Sequence, residues 1–301
     1  MTNYLISVVG ATAIGKTALS IKLAQHFKAE IISCDSRQFF KEMNIGTAVP
    51  STEELNAAKH HFIQHISIFD SYNVGQFEKD AIAKLDELFE KHNIVIMVGG
   101  SGLYVDAVVK GLDDFPRVAP EIRENLNEKL ENHGIASLQE KLKQLDPVYY
   151  ERVALENPHR LIRALEICIG SGKPYSSFLK DKTSSRNFKT IKVGLMADRE
   201  IMYDRINRRV DIMMDAGLLD EAKALHPHKS LNALQTVGYR ELFEYMDGNY
   251  TLEFAINEIK KNTRRFAKRQ GTWFKKDENT LWFDYQEDPS TIIKKIALKL
   301  A

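Results

Sequence analysis

Excess charge of either sign is missing from this chain: 42 lysines and arginines stand against 41 aspartates and glutamates over 301 residues, a formal net charge of +1. So even a balance gives no global attraction to a polyanion, and an anionic partner has to be met by a local basic surface. Cysteine is nearly absent. Cys34 and Cys168 lie far apart and fit no metal-ligand or redox spacing, so packed, reduced thiols are expected. No apolar run approaches the roughly 20 residues that span a bilayer. The N-terminus runs straight into an apolar strand pattern without a leader, and a cytoplasmic protein with no membrane contact is the expectation. Repeats and low-complexity tracts are also wanting. At this length the chain supports one α/β domain with an insertion, or two domains.

What is present begins with Gly10-Ala11-Thr12-Ala13-Ile14-Gly15-Lys16-Thr17, directly after the apolar run at 5–9. The pattern G-x-x-x-x-G-K-[ST] is a phosphate-binding loop: glycines let backbone N–H groups curl around phosphate oxygens, Lys adds a point charge, and the hydroxyl can ligate Mg²⁺. Apolar runs at 31–34, 94–98, 192–196 and 281–283 alternate with helical patterns, as in a parallel, doubly wound sheet. Between residues 111 and about 189 only helical periodicity is found, at 121–133, 138–145 and 158–170. The expected fold class is therefore α/β: a P-loop NTPase-like core from residues 1–112 and 190–301, interrupted at 113–189 by a mostly helical insertion domain. Pro116 and Pro120 open the insertion, and Lys182-Thr183-Ser184-Ser185-Arg186-Asn187 forms a polar return path to the sheet.

Ser33-Cys34-Asp35-Ser36-Arg37-Gln38 puts a carboxylate at the C-terminal edge of the sheet, where ligands of this architecture bind. Asp35 is the leading catalytic candidate, although Asp in this place also caps loops, or holds Mg²⁺ in nucleotide hydrolases. Val98-Gly99-Gly100-Ser101-Gly102 carries no acid, which weakens a hydrolase reading. Its glycines suit either close approach to a ligand or a plain tight turn. Arg205 and Arg209, one helical turn apart, can face one anion or pair with nearby Asp204 and Asp211 as a solvated surface. Arg160 and Arg163 sit together on another helix. Near the C-terminus, Lys260, Lys261, Arg264, Arg265, Lys268 and Arg269 occupy one side of a helix, with Ile259, Phe266 and Trp273 opposite. The apolar stripe is expected in the core and the basic face free for a nucleic-acid backbone, with no bulky apolar rim to favour a membrane surface. His60, His61 and His65 lack the further ligands of a metal site and are expected to pack or face solvent. Glu53-Glu54 and Asp113-Asp114 read as loop or helix-start acids.

Seven ordered blocks, over nearly the whole chain, resemble the bacterial tRNA dimethylallyltransferases, also called tRNA isopentenyltransferases. They are the phosphate loop; Asp35-Ser36 with Met43-Asn44-Ile45-Gly46-Thr47-Ala48; Gly99-Gly100-Ser101-Gly102-Leu103-Tyr104; Asn157-Pro158-His159-Arg160-Leu161-Ile162-Arg163-Ala164-Leu165-Glu166; residues 205–217; Thr236-Val237-Gly238-Tyr239-Arg240-Glu241; and Thr263-Arg264-Arg265-Phe266-Ala267-Lys268-Arg269-Gln270. The resemblance implies transfer of a dimethylallyl group from dimethylallyl diphosphate to N6 of the adenosine immediately 3′ of the anticodon, in tRNAs reading codons that start with U. It implies a monomer that uses Mg²⁺. By position, it makes Asp35 the general base, with Lys16, Thr17 with Mg²⁺, and Arg209 stabilising the diphosphate held by the loop, and Ser101 at the reaction centre. It assigns tRNA contacts to Asp35, Ser36, Arg37, Gln38, Ser101, Arg123, His159, Arg160, Leu161, Ile162, Arg163, Gln235, Thr236, Val237, Gly238, Tyr239 and Arg240.

The chain departs from the family pattern at Ala11 and Ile14, commonly Pro and Ser, at Val49 of Val49-Pro50, usually Lys, and at Ser101, often Thr. None of these removes a proposed catalytic group, though Ile14 removes a hydroxyl near the phosphates. Competing readings are a P-loop kinase using ATP, an isopentenyltransferase acting on free adenine nucleotides, and an RNA-binding protein with a vestigial loop. The basic segments oppose the second, and the joint presence of Gly10, Gly15, Lys16, Thr17 and Asp35 opposes the third.

Overall fold

The computed structural model describes residues 2–179 and 186–300. Six strands form one sheet: β1 (Tyr4–Gly10), β2 (Ile31–Ser33), β3 (His60–His61), β4 (Ile94–Val98), β5 (Lys189–Met196) and β6 (Leu281–Asp284). Their order is β3-β2-β4-β1-β5-β6, and every neighbouring pair is parallel. The helices are α1 (Lys16–Phe27), α2 (Thr52–Ala57), α3 (Val74–Phe89), α4 (Gly102–Lys110), α5 (Pro120–Leu145), α6 (Pro147–Tyr150), α7 (Pro158–Ser171), α8 (Arg199–Asp215), α9 (Leu218–Leu225), α10 (Tyr239–Met246), α11 (Leu252–Phe274) and α12 (Pro289–Leu300).

The sheet is covered on both faces, which is why its central strands read as continuous apolar runs. Ile6 and Val8 join the core that includes α1 and α12, while Leu5 and Val9 join the core of α3, α4 and the end of α11. β1 lies between β4 and β5, so the chain winds outward in opposite directions from it. The C-terminal edge of β1 is thus the crevice where such sheets bind ligands. Five strands coincide with the apolar runs. The sixth, β3, is two histidines on the sheet edge, too short to show a pattern; His61 Nε2 is 2.6 Å from Glu30 Oε2. Ser51 and Glu54 close a reciprocal capping box on α2, in keeping with helix-start acids at Glu53-Glu54. A third core gathers Met43, Val210, Leu234, Tyr239, Leu242 and Ile259 from the segment after β2 and from helices α8 to α11.

The chain divides into two compact units, residues 2–110 with 186–300, and residues 111–179. In the second unit, α5 runs through the two helical patterns as one element, interrupted only at Gly134 (φ 70°, ψ 178°), a backbone that L-residues with side chains avoid. Its own core holds Leu126, Leu138, Leu142, Leu161, Ile162 and Leu165. Leu161 and Ile162, placed by the resemblance in a tRNA-contact segment, have side chains that pack inside this core. Of the polar return segment, residues 182–185 lie outside the described residues. Arg186 donates to Glu78 Oε1 (2.6 Å) and Ala107 O (2.7 Å), and Asn187 to Asp86 Oδ1 (2.7 Å). Cys34 and Cys168 are buried free thiols. No helix among the described residues is long and apolar enough to cross a membrane.

Candidate active site

At the end of β1 the backbone turns through three left-handed residues, Gly10 (φ 144°), Ala13 (φ 63°) and Gly15 (φ 107°), and enters α1 at Lys16. A Cβ at Gly10 would lie 2.8 Å from the Leu195 carbonyl oxygen, so glycine is required where the loop leaves the sheet. The first-turn N–H groups of α1 have no helical acceptor and, with the helix dipole, favour an anion. Ala11 and Ile14 are buried, so both departures from the family pattern bury apolar side chains. Lys16 Nζ donates to Ala11 O (2.7 Å). Burial pushes the Lys16 pKa down to about 8; nearby Asp35 opposes the shift and Arg209 adds to it.

Arg205 and Arg209, both on α8, separate in role. Arg205 Nε donates to Ala13 O (2.9 Å) and its guanidinium lies 4.9 Å from the Tyr285 ring centroid, so it braces the loop. Arg209 lines the cavities in front of the loop together with Thr12 and Asp35. The neighbouring acids pair elsewhere, Asp204 with Arg208 and Asp211 with Lys260. The solvated-face reading thus applies to Arg208 rather than to Arg205 or Arg209.

Opposite the loop, Asp35 Oδ1 accepts from Arg37 N (3.1 Å). Ser101 Oγ accepts from Ser36 N (3.2 Å) and lies 3.1 Å from Ser36 Oγ. Arg37 donates to Ala233 O (2.8 Å) and Asn232 O (3.1 Å), and Gln38 to Ala48 O (2.8 Å) and Thr47 O (3.3 Å). These side chains hold the segment carrying Asp35 against its neighbours. Two cavities share Thr12, Asp35, Thr47 and Arg209. One, of about 60 Å³, is lined also by Lys16, Thr17 and Ser33; the other, of about 130 Å³, has apolar walls at Val210, Met213, Ile259 and Phe266. Together they can hold a leaving anion, accept a proton and shield an apolar fragment from water.

Among the described residues no three His, Cys, Asp or Glu side chains cluster as a metal cage. The smaller cavity offers hard oxygen donors, the Thr17 and Ser33 hydroxyls and the Asp35 carboxylate. That set fits Mg²⁺, which takes one or two protein oxygens and completes its shell with phosphate and water.

Sequence reasoning missed two organising residues. Glu221 accepts from Asn44 N (3.0 Å), Ile45 N (2.8 Å), Gly46 N (2.9 Å) and Tyr239 Oη (2.6 Å), fastening the loop that carries Thr47. Tyr239, placed by the resemblance in a tRNA-contact segment, has a fully buried side chain. Thr236, Val237 and Gly238 line the larger cavity, Gln235 donates to Lys229 O (2.6 Å), and Arg240 is exposed. The second missed residue, Gln270 on α11, is 6 % exposed and bonded to both the phosphate loop and the turn after β4. It ends the last block of the family resemblance, which gave it no role, and its further signal is a polar side chain at the spacing of the buried Ala267 and Phe274.

The expected apolar stripe on α11 is also corrected. Ala255, Ile259, Ala267, Gln270 and Phe274 are buried, whereas Phe266 and Trp273 are 39 % and 37 % exposed and form the apolar rim expected to be absent. The basic side is partly paired: Lys260 with Asp211 (2.6 Å), Lys261 with Glu258, and Arg264 with Asn207 (2.7 Å). Arg265, Lys268 and Arg269 are exposed. His60 lines the smaller cavity, and His65 packs against the Phe39, Phe62 and Tyr72 rings.

Within the second unit, Arg123 and Arg163 both pair with Glu166 (3.0 and 3.1 Å). Burial acts to raise the Glu166 pKa, but the two guanidiniums hold it below its ordinary value. Arg163 also lies 5.3 Å from the Phe115 ring centroid. His159 and Arg160 are exposed at the start of α7.

Comparison with known proteins agrees with this geometry. The tRNA dimethylallyltransferases of Flavobacterium johnsoniae and Christiangramia forsetii are each 65% identical to the chain. The matches cover 99% of this chain and 98% of the first, and 100% and 99% for the second. The crystal structure of the full-length tRNA isopentenylpyrophosphate transferase from Bacillus halodurans shares 37% identity over 99% of this chain and 95% of that one, with a TM-score of 0.73. A eukaryotic dimethylallyltransferase acting on tRNA superimposes with a TM-score of 0.82 at 25% identity, over 95% of this chain and 75% of that one. The IPP transferase family model matches residues 38–277, and the loop and Asp35, which precede that span, are covered by the full-length relatives. The chain belongs to the IPP transferase family.

Proposed function

We propose that the protein transfers a dimethylallyl group from dimethylallyl diphosphate to N6 of the adenosine immediately 3′ of the anticodon, in tRNAs reading codons that begin with U, and that it works as a cytoplasmic monomer. The observation that carries this reading is the meeting of Asp35, Lys16, Thr17 and Arg209 around one polar cavity that adjoins an apolar-walled one. An exocyclic adenine amine is a weak nucleophile because its lone pair is delocalised into the ring. A carboxylate that takes its proton as the N–C bond forms lowers that barrier, and the position of Asp35 on the wall of both cavities supports this role for it. As the C–O bond breaks, charge builds on the departing diphosphate, and loop N–H groups, Lys16 and Arg209 stabilise it more in the transition state than before. Mg²⁺, held through the Thr17 hydroxyl, supplies further positive charge to that diphosphate when bound. The Val210, Met213, Ile259 and Phe266 walls suit the five-carbon fragment, which becomes cation-like and has to be kept from water. The base reaches the site only by leaving its stack, at low cost in a single-stranded loop.

For the RNA, Ser36 and Ser101 lie beside the base-accepting centre, and Gln235 and Arg240 are exposed near it. Arg123, His159, Arg160 and Arg163 offer donors on the second unit. Kinase and free-nucleotide readings find no support among the relatives.

The direct test incubates the protein with Mg²⁺, dimethylallyl diphosphate and unmodified tRNA that carries three adenosines across the end of the anticodon. The RNA mass should rise by one five-carbon unit with no ATP present. An unchanged RNA mass, with ATP consumed in a parallel reaction that contains it, would sink the transferase reading.

A further inference from the structure

Gln270 bridges the two loops that leave the neighbouring parallel strands β1 and β4 at the same edge of the sheet. Its Nε2 donates to Gly100 O (2.9 Å) and its Oε1 accepts from Thr12 N (2.8 Å). The partners fix the amide's orientation, since a backbone N–H only donates and a carbonyl only accepts. The amide supplies one donor and one acceptor at the spacing the two loops require. A Cβ at Gly100 would strike the same amide nitrogen, so Gly100 and Gln270 fit each other. One turn earlier on α11, Ala267 belongs to a small core with Ala11 and Ile206, and one turn later Trp273 leaves no room for a Cβ at Gly102.

The two bonded loops carry different halves of the chemistry. Thr12 lines both cavities as part of the phosphate loop. Gly100 precedes Ser101, whose hydroxyl holds Ser36 beside Asp35. From this arrangement we infer that Gln270 is a positioning residue: it sets the distance between the diphosphate cradle and the proton-accepting carboxylate, and does so from the helix that bears the basic face. The inference rests on the transferase reading for its consequence in catalysis, but its geometry does not.

The consequence is a change in the fate of the allylic fragment. In the aligned site the breaking C–O bond is met by N6, whose proton passes to Asp35. In a misaligned site, water meets the same carbon, giving dimethylallyl alcohol and diphosphate, with the proton released to solvent. Gln270→Met keeps the volume and removes both hydrogen bonds. Gln270→Glu, assayed at a pH where it is ionised, keeps the acceptor for Thr12 N–H but sets a carboxylate oxygen against the Gly100 carbonyl; protonation on lowering the pH should restore the bridge and the wild-type partition.

Each variant, normalised to its folded fraction, is assayed for kcat, for KM of both substrates, and for the ratio of prenylated RNA to dimethylallyl alcohol. Expected are a kcat about 10- to 100-fold lower, a magnitude typical of sub-ångström to ångström misplacement, and a partition shifted toward alcohol, with the KM for tRNA little changed. Gly100→Ala, which displaces the same amide from the other side, should shift the partition in the same direction. A purely structural role lowers the folded fraction but leaves kcat per folded molecule and the partition at wild-type values, and that result overturns the inference. Amide hydrogen exchange gives a readout independent of activity: Gln270→Met should speed exchange at Thr12 and in the segment 34–37 together. Faster exchange at Thr12 alone would also overturn the link between the two loops. If the wild-type protein transfers no prenyl group, the transferase reading fails while the exchange result still decides the bridge.

Discussion

Desolvation sets the charge of Lys16. Its ammonium is buried in the phosphate loop, and its pKa is pushed down to about 8 even though Asp35 pulls the other way. The folded value lies below the ordinary 10.5, so the burden on the fold is complete below about 8 and lifts as pH rises toward 10.5. A diphosphate restores the preference for the charged form, so at about pH 9 binding should draw more protons in the wild type than in Lys16→Arg, whose guanidinium stays charged, whereas at about pH 6.5 the two should match. Calorimetric titration of both proteins with inorganic diphosphate, in buffers of different ionisation enthalpy, measures that difference; equal uptake by the two at the higher pH would place the proton elsewhere. Asp35 carries a separate prediction. Because Asn retains an oxygen for the Arg37 N–H bond, Asp35→Asn keeps the local turn while losing the proton acceptor. Its kcat should fall by about 10²- to 10⁴-fold with tRNA affinity nearly unchanged. Loss of RNA binding instead would make Asp35 a structural residue.

At the scale of elements, α11 shows what the sequence carries and what it hides. A stripe repeating every seven residues drifts by about 20° per heptad on a straight helix, so Ile259, Phe266 and Trp273 do not stay on one buried line. Ile259 is buried, whereas Phe266 and Trp273 come to the surface, and positions 267, 270 and 274 face the loops and the sheet. Local pattern was enough for the phosphate loop, the five longer strands and the placement of Asp35, because those depend on near-neighbour chemistry. It could not reveal β3, a two-residue edge pairing with β2, nor Glu221 and Gln270, whose partners lie far away in sequence. The same pairing information sharpens the RNA-binding surface. Lys260 and Lys261 already have acidic partners, so Arg265 and Lys268, both exposed, are the better phosphate contacts. Neutralising both should weaken tRNA binding across sequences alike and reduce the slope of log affinity against log salt by about one to two. An unchanged slope in filter binding over a salt series would leave this face a solvated surface.

On the scale of the molecule there are two units with separate cores, and the proposed reading divides the labour between them. The loop, Asp35, Arg209 and both cavities belong to residues 2–110 with 186–300, whereas Arg123, His159, Arg160 and Arg163 belong to residues 111–179. The second unit is small, and Leu142 is fully buried in it among Leu126, Leu138 and Leu161. Leu142→Ala removes buried methyl groups and leaves a cavity, at a cost of about 2–5 kcal/mol concentrated in that unit. Because no group of the leaving-group cradle lies there, diphosphate affinity should stay at the wild-type value while the KM for tRNA rises and hydrogen exchange quickens along α5 and α7. Loss of diphosphate binding in this variant would mean that the cradle depends on the second unit, and the division of roles between the two cores would have to be abandoned.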